Sequence, residues 1–525
     1  MVILSRKFLE EFHSNLIELN ELNLNDLHIE EIEPNTFRRL EFLTKLSINN
    51  NSIQTVHKGA FNGLRGLKYL DISSNLIKQI ECNTFIDLKN LETLKIDKNE
   101  ITVEENILNG LENLTYLSLR CNKVNELSIF KNLKNLQVLE LSECFLKIIG
   151  ENDLNGLKRL KALNLNNNEI RTLPCNLLNG LDELEELYLK NCSLESFDSQ
   201  LLKNKHKLVK LFLNRNNIKE LDGDIFYQLI NLNTLILYDN LIKKIDGQIF
   251  QGLNNLVILD LSWNKLKKFD PKQFFGLNSL RELKLDSNKI ENLDPKQFEN
   301  LKNLCILNIS YNKISYFDSE IFNGLNKLVS LNISGNKVKE LSLDLFEPLN
   351  NIECLDISEM DLESFNKEIL KTNKKLSELY INKNGITYLD FDSFTEMVNL
   401  KELHLRGNNI SRLEKGLFTN LKNLNFLSLA DNKISALEIG TFDGLINLQT
   451  LRLDGNRFEI LDKNVFKDLE NIHEIYFDDC NLEILKENFF SYLYKLKRVK
   501  LNKVEPLDSI KTIRNTYPRI DFEFS

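Results

Sequence analysis

Six histidines (His13, His28, His57, His206, His404 and His473) and eight cysteines (Cys82, Cys121, Cys144, Cys175, Cys192, Cys305, Cys354 and Cys480) are the residues of this 525-residue chain best suited to metal or nucleophilic chemistry. Their spacing argues against both. There is no HExxH pair to hold zinc, no CxxC, no glycine-rich phosphate loop and no nucleophile elbow. No cysteine lies near a histidine and an acid that would complete a catalytic set. Catalytic, metal-binding and cofactor-binding residues are therefore not expected. The cysteines are also too sparse and scattered for a disulfide scaffold.

Recognition chemistry is what remains, and aromatic residues supply it. Tyr188, Phe212 and Ile236 recur at one constant spacing, with Tyr238 and Trp263, the only Trp, just beyond them and Tyr311 further on. Exposed aromatics clustered on a rigid frame are the composition of an interface anchor, a local packing patch being the alternative. A second set, Tyr380, His404, Arg406, Arg452 and Tyr476, mixes aromatic and basic character, with ordinary solvated surface as its alternative. His404 and His473 would make contacts there pH-sensitive. N-glycosylation acceptor sequons stand at Asn50, Asn113, Asn191, Asn308, Asn332 and Asn409, several of which an Asn- and Ser-rich repeat produces by chance.

The elements that must position these residues are visible as a period. Leu43, Leu46, Ile48, Asn51 and Ile53 recur as Leu67, Leu70, Ile72, Asn75 and Ile77, and again as Leu256, Leu259, Leu261, Asn264 and Leu266. Aligned on the Asn, the pattern LxxLxLxxNxI falls at 27, 51, 75, 99, 122, 144, 168 and 192, and then at 216, 240, 264 and onward in the same step to 504, giving 21 units. Its LxxLxL part alternates with period 2, which predicts a short strand with Leu inward and the x positions outward. Successive strands then lie parallel and side by side. Fifteen of the 21 key positions are Asn, whose amide can both donate to and accept from neighbouring turns; Cys144, Cys192 and Cys480 fill three more, where a small thiol makes a weaker bond. Ten residues after the Asn stands a column of fourteen Phe, from Phe37 to Phe490, predicted to fill the space behind the strands.

These residues closely resemble the leucine-rich repeat family, in its typical 24-residue form, over about residues 16 to 504. The resemblance implies an α/β leucine-rich-repeat solenoid: a curved horseshoe with a parallel β-sheet on the concave face and loops and short helical turns on the convex face. The subclass is commonest in ectodomains of Toll-like receptors, slit-like and chaoptin-like proteins and insect leucine-rich immune proteins. It thus implies a non-catalytic module for extracellular recognition, adhesion or innate immunity, engaging protein ligands on the concave sheet. The intracellular alternative is a scaffold or inhibitor, favoured by scattered cysteines and by the lack of cysteine-clustered caps and of an apolar leader.

Composition agrees with one large core. Apolar residues make up 42% and charged residues 27%, which excludes global disorder. A net charge of −9 has the wrong sign for a nucleic-acid partner. No stretch has the length of a membrane span, and nothing in the sequence indicates a homo-oligomer.

The expected organisation is a partial N-terminal repeat at 1–18, carrying Phe8, Phe12 and Leu16, then the repeats at 19–504, then a capping helix and strand at 505–525. Two units break the pattern on the outer side: Lys205, amid Lys203, His206 and Lys207, and Asn373, amid Lys371, Lys374 and Lys375, both stand where Leu is expected. Each follows a Leu-Glu-Ser-Phe stretch, so they read as an internal duplication or as a paired basic contact site.

Overall fold

The computed structural model describes all residues except 1, 14, 459–460, 481–487, 502–512 and 525. The chain is a parallel β-solenoid in two units. One comprises Met1–Lys265 with Phe275–Leu277, and the other Leu266–Phe274 with Asn278–Ser525.

Each repeat contributes a strand of about three residues, as the period-2 pattern predicts. In the first unit Leu22, Leu46 and Leu70 face one another in register, and the ladder continues through Leu163, Leu187, Leu211, Leu235 and Leu259. In the second unit Leu283, Leu307 and Leu331 begin an equivalent ladder, which ends where Arg498–Leu501 pairs with Asp521–Phe524. These Leu are buried, while the strand residues on either side reach the opposite face.

The asparagines perform the expected double role. Asn216 donates through Nδ2 to the carbonyls of Leu189 (2.8 Å) and Leu213 (2.9 Å), and its Oδ1 accepts from the backbone N–H of Cys192 (2.9 Å) and Leu194 (3.0 Å). Each such residue thus satisfies its own turn and the one before it, which keeps buried backbone polar groups paired. Where cysteine replaces Asn, the thiol donates to the same carbonyl: Cys144 to Leu119 at 3.2 Å, Cys192 to Leu165 at 3.1 Å and Cys480 to Leu453 at 3.0 Å.

The phenylalanine column is buried and stacked. Phe226 and Phe250 lie with ring centroids 6.5 Å apart and planes 3° from parallel, and Phe418 and Phe442 at 6.3 Å and 15°. The shortened unit after Asn122 has Asn at the Phe position, and Phe130, two residues earlier on a 3₁₀ turn at Ser128–Phe130, is the buried ring there.

At the N-terminus a strand and a short helix precede the first full turn. Val2–Leu4 pairs in parallel with Ile29–Ile32, and Arg6–Phe12 is a helix whose N-terminus is capped by the Ser5 hydroxyl, which accepts from Phe8 N–H at 3.2 Å. Leu4, Leu9 and Leu16 are the buried residues, whereas Phe12 stacks on Phe8 and is exposed. At the other end residues 513–516 are helical and precede the last strand. Position 504 and the first part of the expected capping helix lie outside the described residues.

Candidate ligand-binding faces

A feature that spacing does not announce lies just past each strand. The residue before the key Asn or Cys takes a left-handed conformation in unit after unit: Asn50 (φ 58°), Asn191 (54°), Arg215 (57°), Asp239 (56°), Trp263 (52°), Tyr311 (50°) and Lys383 (49°) among them. Glycine fills this place at Gly335, Gly407 and Gly455. Non-glycine residues rarely adopt this backbone, so the repeat imposes it, and the side chains placed there stand at the edge of the strand face.

The strand face of the first unit brings three predicted residues together. Tyr188 pairs in register with Phe212, and Phe212 with Ile236. The Tyr188 and Phe212 rings stack at 5.0 Å and 25°, and all three side chains are half-exposed. The Tyr188 hydroxyl donates to Glu186 (2.7 Å), which also receives Lys210 Nζ (2.9 Å). Burial and the Glu186 carboxylate raise the Tyr188 phenol well above its ordinary value, so the ring stays neutral. Burial pushes Glu186 up, but its bonds to Lys210 and Tyr188 outweigh this and hold it below the usual carboxylate range. Tyr238 lies under the Arg215 guanidinium at 5.9 Å.

Trp263 and Tyr311 stand elsewhere than on the strands. Both occupy the left-handed edge positions, 62% and 52% exposed, and Tyr311 belongs to the second unit. A Cβ built on Gly335 would meet the Tyr311 ring at 2.6 Å, so the glycine is what lets that ring lie flat over the next turn. The six residues are therefore a strand-face trio with Tyr238, an edge tryptophan, and a tyrosine of the other unit.

In the second unit the weaker set is more ordered than its spacing suggests. Tyr380 stacks on His404 at 4.2 Å and 17°, and His404 on Phe426 at 4.6 Å and 26°. The Tyr380 hydroxyl reaches Glu378 at 3.2 Å and His404 Nε2 reaches Glu402 at 3.1 Å. Arg452 makes a two-pronged contact with Asp454 (3.0 Å for both) and lies 5.0 Å over the Tyr476 ring, while Arg406 is paired with Asp431 at 2.7 Å. The basic residues of this set are thus already engaged by carboxylates. Phe426 escaped the sequence reading because it stands two residues before the Leu-flanked column that holds Tyr380 and His404. The same offset hid Tyr69 and Tyr116, which hold Lys95 Nζ at 5.7 and 5.8 Å on the first unit.

Two other expectations acquire a structural account. Asn308 Oδ1 accepts from the N–H and hydroxyl of Ser310, and Asn332 Oδ1 from those of Ser334, at 2.7–3.1 Å. Asp260 does the same with Ser262, so the Asn-x-Ser at these two positions serves as a strand-ending turn. Asn50, Asn113 and Asn191 are exposed, and Asn409 is half-buried. Lys205 does not face outward: it is 2% exposed, with Nζ 3.4 Å from the Lys203 carbonyl and 3.6 Å from Asp182, and burial lowers its pKa. Asn373 is also buried and donates to the carbonyls of Phe346 and Leu349, both at 3.0 Å. Neither residue is available as an outer-face contact.

Among the described residues no three His, Cys, Asp or Glu are grouped to hold a metal ion, and no helix is long and apolar enough to cross a membrane.

Sequence and geometry together define a solenoid of parallel one-strand turns held by an asparagine ladder. The leucine rich repeat family model matches residues 41–101, 112–170, 206–266, 230–290, 278–338, 350–410, 374–434, 398–458 and 423–482, and the chain belongs to that family. Among solved structures the chain is similar to TLR13 in a complex with ssRNA13, at 27% identity and a TM-score of 0.63, over 95% of this chain and 83% of that one. It shares its fold with PEPR1 in a complex with AtPEP1 (22%, TM-score 0.63, 90% and 67% covered). It also shares it with a domain of InlJ from Listeria monocytogenes (21%, TM-score 0.53, 72% and 76%). No curated protein matches the sequence.

Proposed function

We propose that this leucine-rich repeat chain is a non-catalytic extracellular binding module of the recognition, adhesion or innate-immune type, and that it takes a protein ligand on the strand face of its first unit. The observation that carries the reading is the stacked, half-exposed pair Tyr188 and Phe212, continued in register by Ile236. Rings held by the strand ladder lose little freedom on binding, which is the economy of a preorganised anchor. Trp263 and Tyr238 extend the apolar area, and the bond from Tyr188 to Glu186 orients the phenol. The likeness to TLR13, solved in a complex with ssRNA13, supports a ligand-binding role.

A second reading rests on the Tyr380–His404–Phe426 stack, which offers the second unit an anchor of the same kind. One experiment separates the two. Secreted wild-type protein, a Tyr188→Ala/Phe212→Ala variant and a Tyr380→Ala/Phe426→Ala variant are each used for affinity capture from native tissue, with partners identified by mass spectrometry. Loss of one partner set with the first variant alone supports the proposal, and each ring is expected to contribute about 2 kcal/mol, roughly 30-fold in affinity. Unchanged capture by a stably folded Tyr188→Ala/Phe212→Ala protein refutes it.

A further inference from the structure

On the second unit, the segments that follow the strands carry lysine in a pattern the repeat does not require. Lys289, Lys313 and Lys337 each come directly after a ladder asparagine, in three successive turns, and Lys267, Lys268 and Lys339 stand two or three residues beyond that column. The backbone fixes the file. Lys289 N–H donates to the Leu266 carbonyl at 2.9 Å, Lys313 to Ile290 at 2.8 Å and Lys337 to Ile314 at 2.8 Å, so each lysine sits one turn on from the last.

All six lysines are exposed. None joins an ion pair among the described residues; the nearest pairs in sequence, Lys244–Asp246 and Lys284–Glu282, involve other lysines. The carboxylates of the same segments are Asp270, Glu291, Asp294, Asp318, Glu320, Glu340 and Asp344. Asp270, Asp294 and Asp318 accept from the N–H groups of Lys272, Lys296 and Glu320 at 2.8–2.9 Å, which turns them to their own loops.

Folding does not demand lysine here. The position after the ladder residue is Ser52, Leu76, Glu100, Phe145, Glu169 and Asn217 in other turns, so it is free to vary. Neighbouring like charges in file repel, and the fold gains nothing from them. A linear polyanion would relieve that repulsion.

We propose that this flank of the second unit is a docking surface for a sulfated polysaccharide chain. The chemistry favours that occupant over nucleic acid. The file is lysine alone, compact point charges without the guanidinium forks that grip phosphate in two places. The exposed side chains of these segments include two aromatics, Tyr311 and Tyr316, on one turn, too few to stack successive bases.

The test uses the whole chain, with heparin, desulfated heparin and single-stranded RNA as probes. Wild type is expected to bind heparin at about 0.15 M salt and to release it as salt rises. Lys289→Ala/Lys313→Ala/Lys337→Ala is expected to bind at least about tenfold more weakly and to flatten the log–log salt slope by about 2 to 3. Lys401→Ala/Lys415→Ala/Lys422→Ala removes the same charge from exposed sites elsewhere in the unit and should retain binding. Protection of the three file lysines from acetylation by bound heparin reads the same surface without any substitution. Absence of heparin binding, equal loss in both triple variants, equal affinity for desulfated heparin, or tighter binding of RNA to the same lysines would each overturn the proposal.

Discussion

Replacing one ladder asparagine should cost different amounts at different places, and the difference can be worked out from the bonds. Asn336 Oδ1 accepts from Ile314 N–H at 3.1 Å, and its Nδ2 donates to Ile309 O (3.1 Å) and Ile333 O (2.9 Å). Ile309 O also receives Asn312. Ile333 O has no such reserve, because the next ladder position is Met360, which has no side-chain donor. Asn336→Leu therefore strands two buried backbone groups. Asn432→Leu strands one: Ile410 N–H loses its acceptor, but Leu405 O keeps Asn408 and Leu429 O keeps Asn456. At about 1–3 kcal/mol for each unpaired buried group, the first variant should lose roughly 4 kcal/mol and the second roughly 2. The apolar gain of the new Leu is common to both and cancels in the comparison.

Urea unfolding followed by circular dichroism gives the two losses. Hydrogen exchange at Ile314 N–H and Ile410 N–H checks that each defect is local, which matters in a repeat protein whose turns open semi-independently. Met360→Asn added to Asn336→Leu should recover part of the difference by giving Ile333 O a new donor. Equal losses in the two leucine variants, or a larger one at Asn432, would refute the reasoning.

Thiol reactivity should divide the cysteines: Cys144, Cys192 and Cys480 are buried, and burial pushes their thiols up to about 12, whereas Cys82 is exposed. In native protein at pH 8 a maleimide should label Cys82 rapidly and those three only after denaturation, as peptide mass spectrometry would read. Fast labelling of Cys192 in folded protein would contradict the ladder bond assigned to it. Asp97 has its carboxyl raised by burial, with the Ser118 hydroxyl and Arg120 N–H bonded to it only partly offsetting this. A raised acid is deprotonated more easily when unfolded, so its presence subtracts stability once pH climbs through the unfolded value and adds no penalty below it. Asp97→Asn should thus gain melting temperature over wild type at pH 7 and lose that gain near pH 3; a pH-independent difference would count against it.

The repeat was legible because its cause is local and periodic. Leu, Asn and Phe each have one burial geometry per turn, so spacing alone carries the strand, the ladder and the ring stack, and even the cysteine replacements could be assigned a bond. The left-handed edge was not legible. Arg215, Asp239, Trp263 and Tyr311 share a backbone conformation but no side-chain type, since the restraint comes from the turn. Spacing therefore lists Trp263 and Tyr311 with the strand aromatics without showing that they stand at the turn edge. Tyr188, Phe212 and Ile236 were found because they share one column. Phe426 falls outside the pattern because it completes the stack from a different column, and the burial of Lys205 is not legible because a charged residue is seldom buried.

In the regular turns the ladder bonds that cross from one turn to another join positions 22, 24 or 27 apart, as at Asn216, so the chain has a natural unit of length. Removing the stretch from one asparagine to the next would rejoin the same kinds of donor and acceptor, whereas removing half of it would set strand against loop. The two short steps, from Asn99 to Asn122 and from Asn122 to Cys144, are absorbed on the outer side while the strands stay in register. Lineages of such a chain can therefore lengthen or shorten by whole turns, and each turn gained brings a fresh set of outward positions with no fold to reinvent.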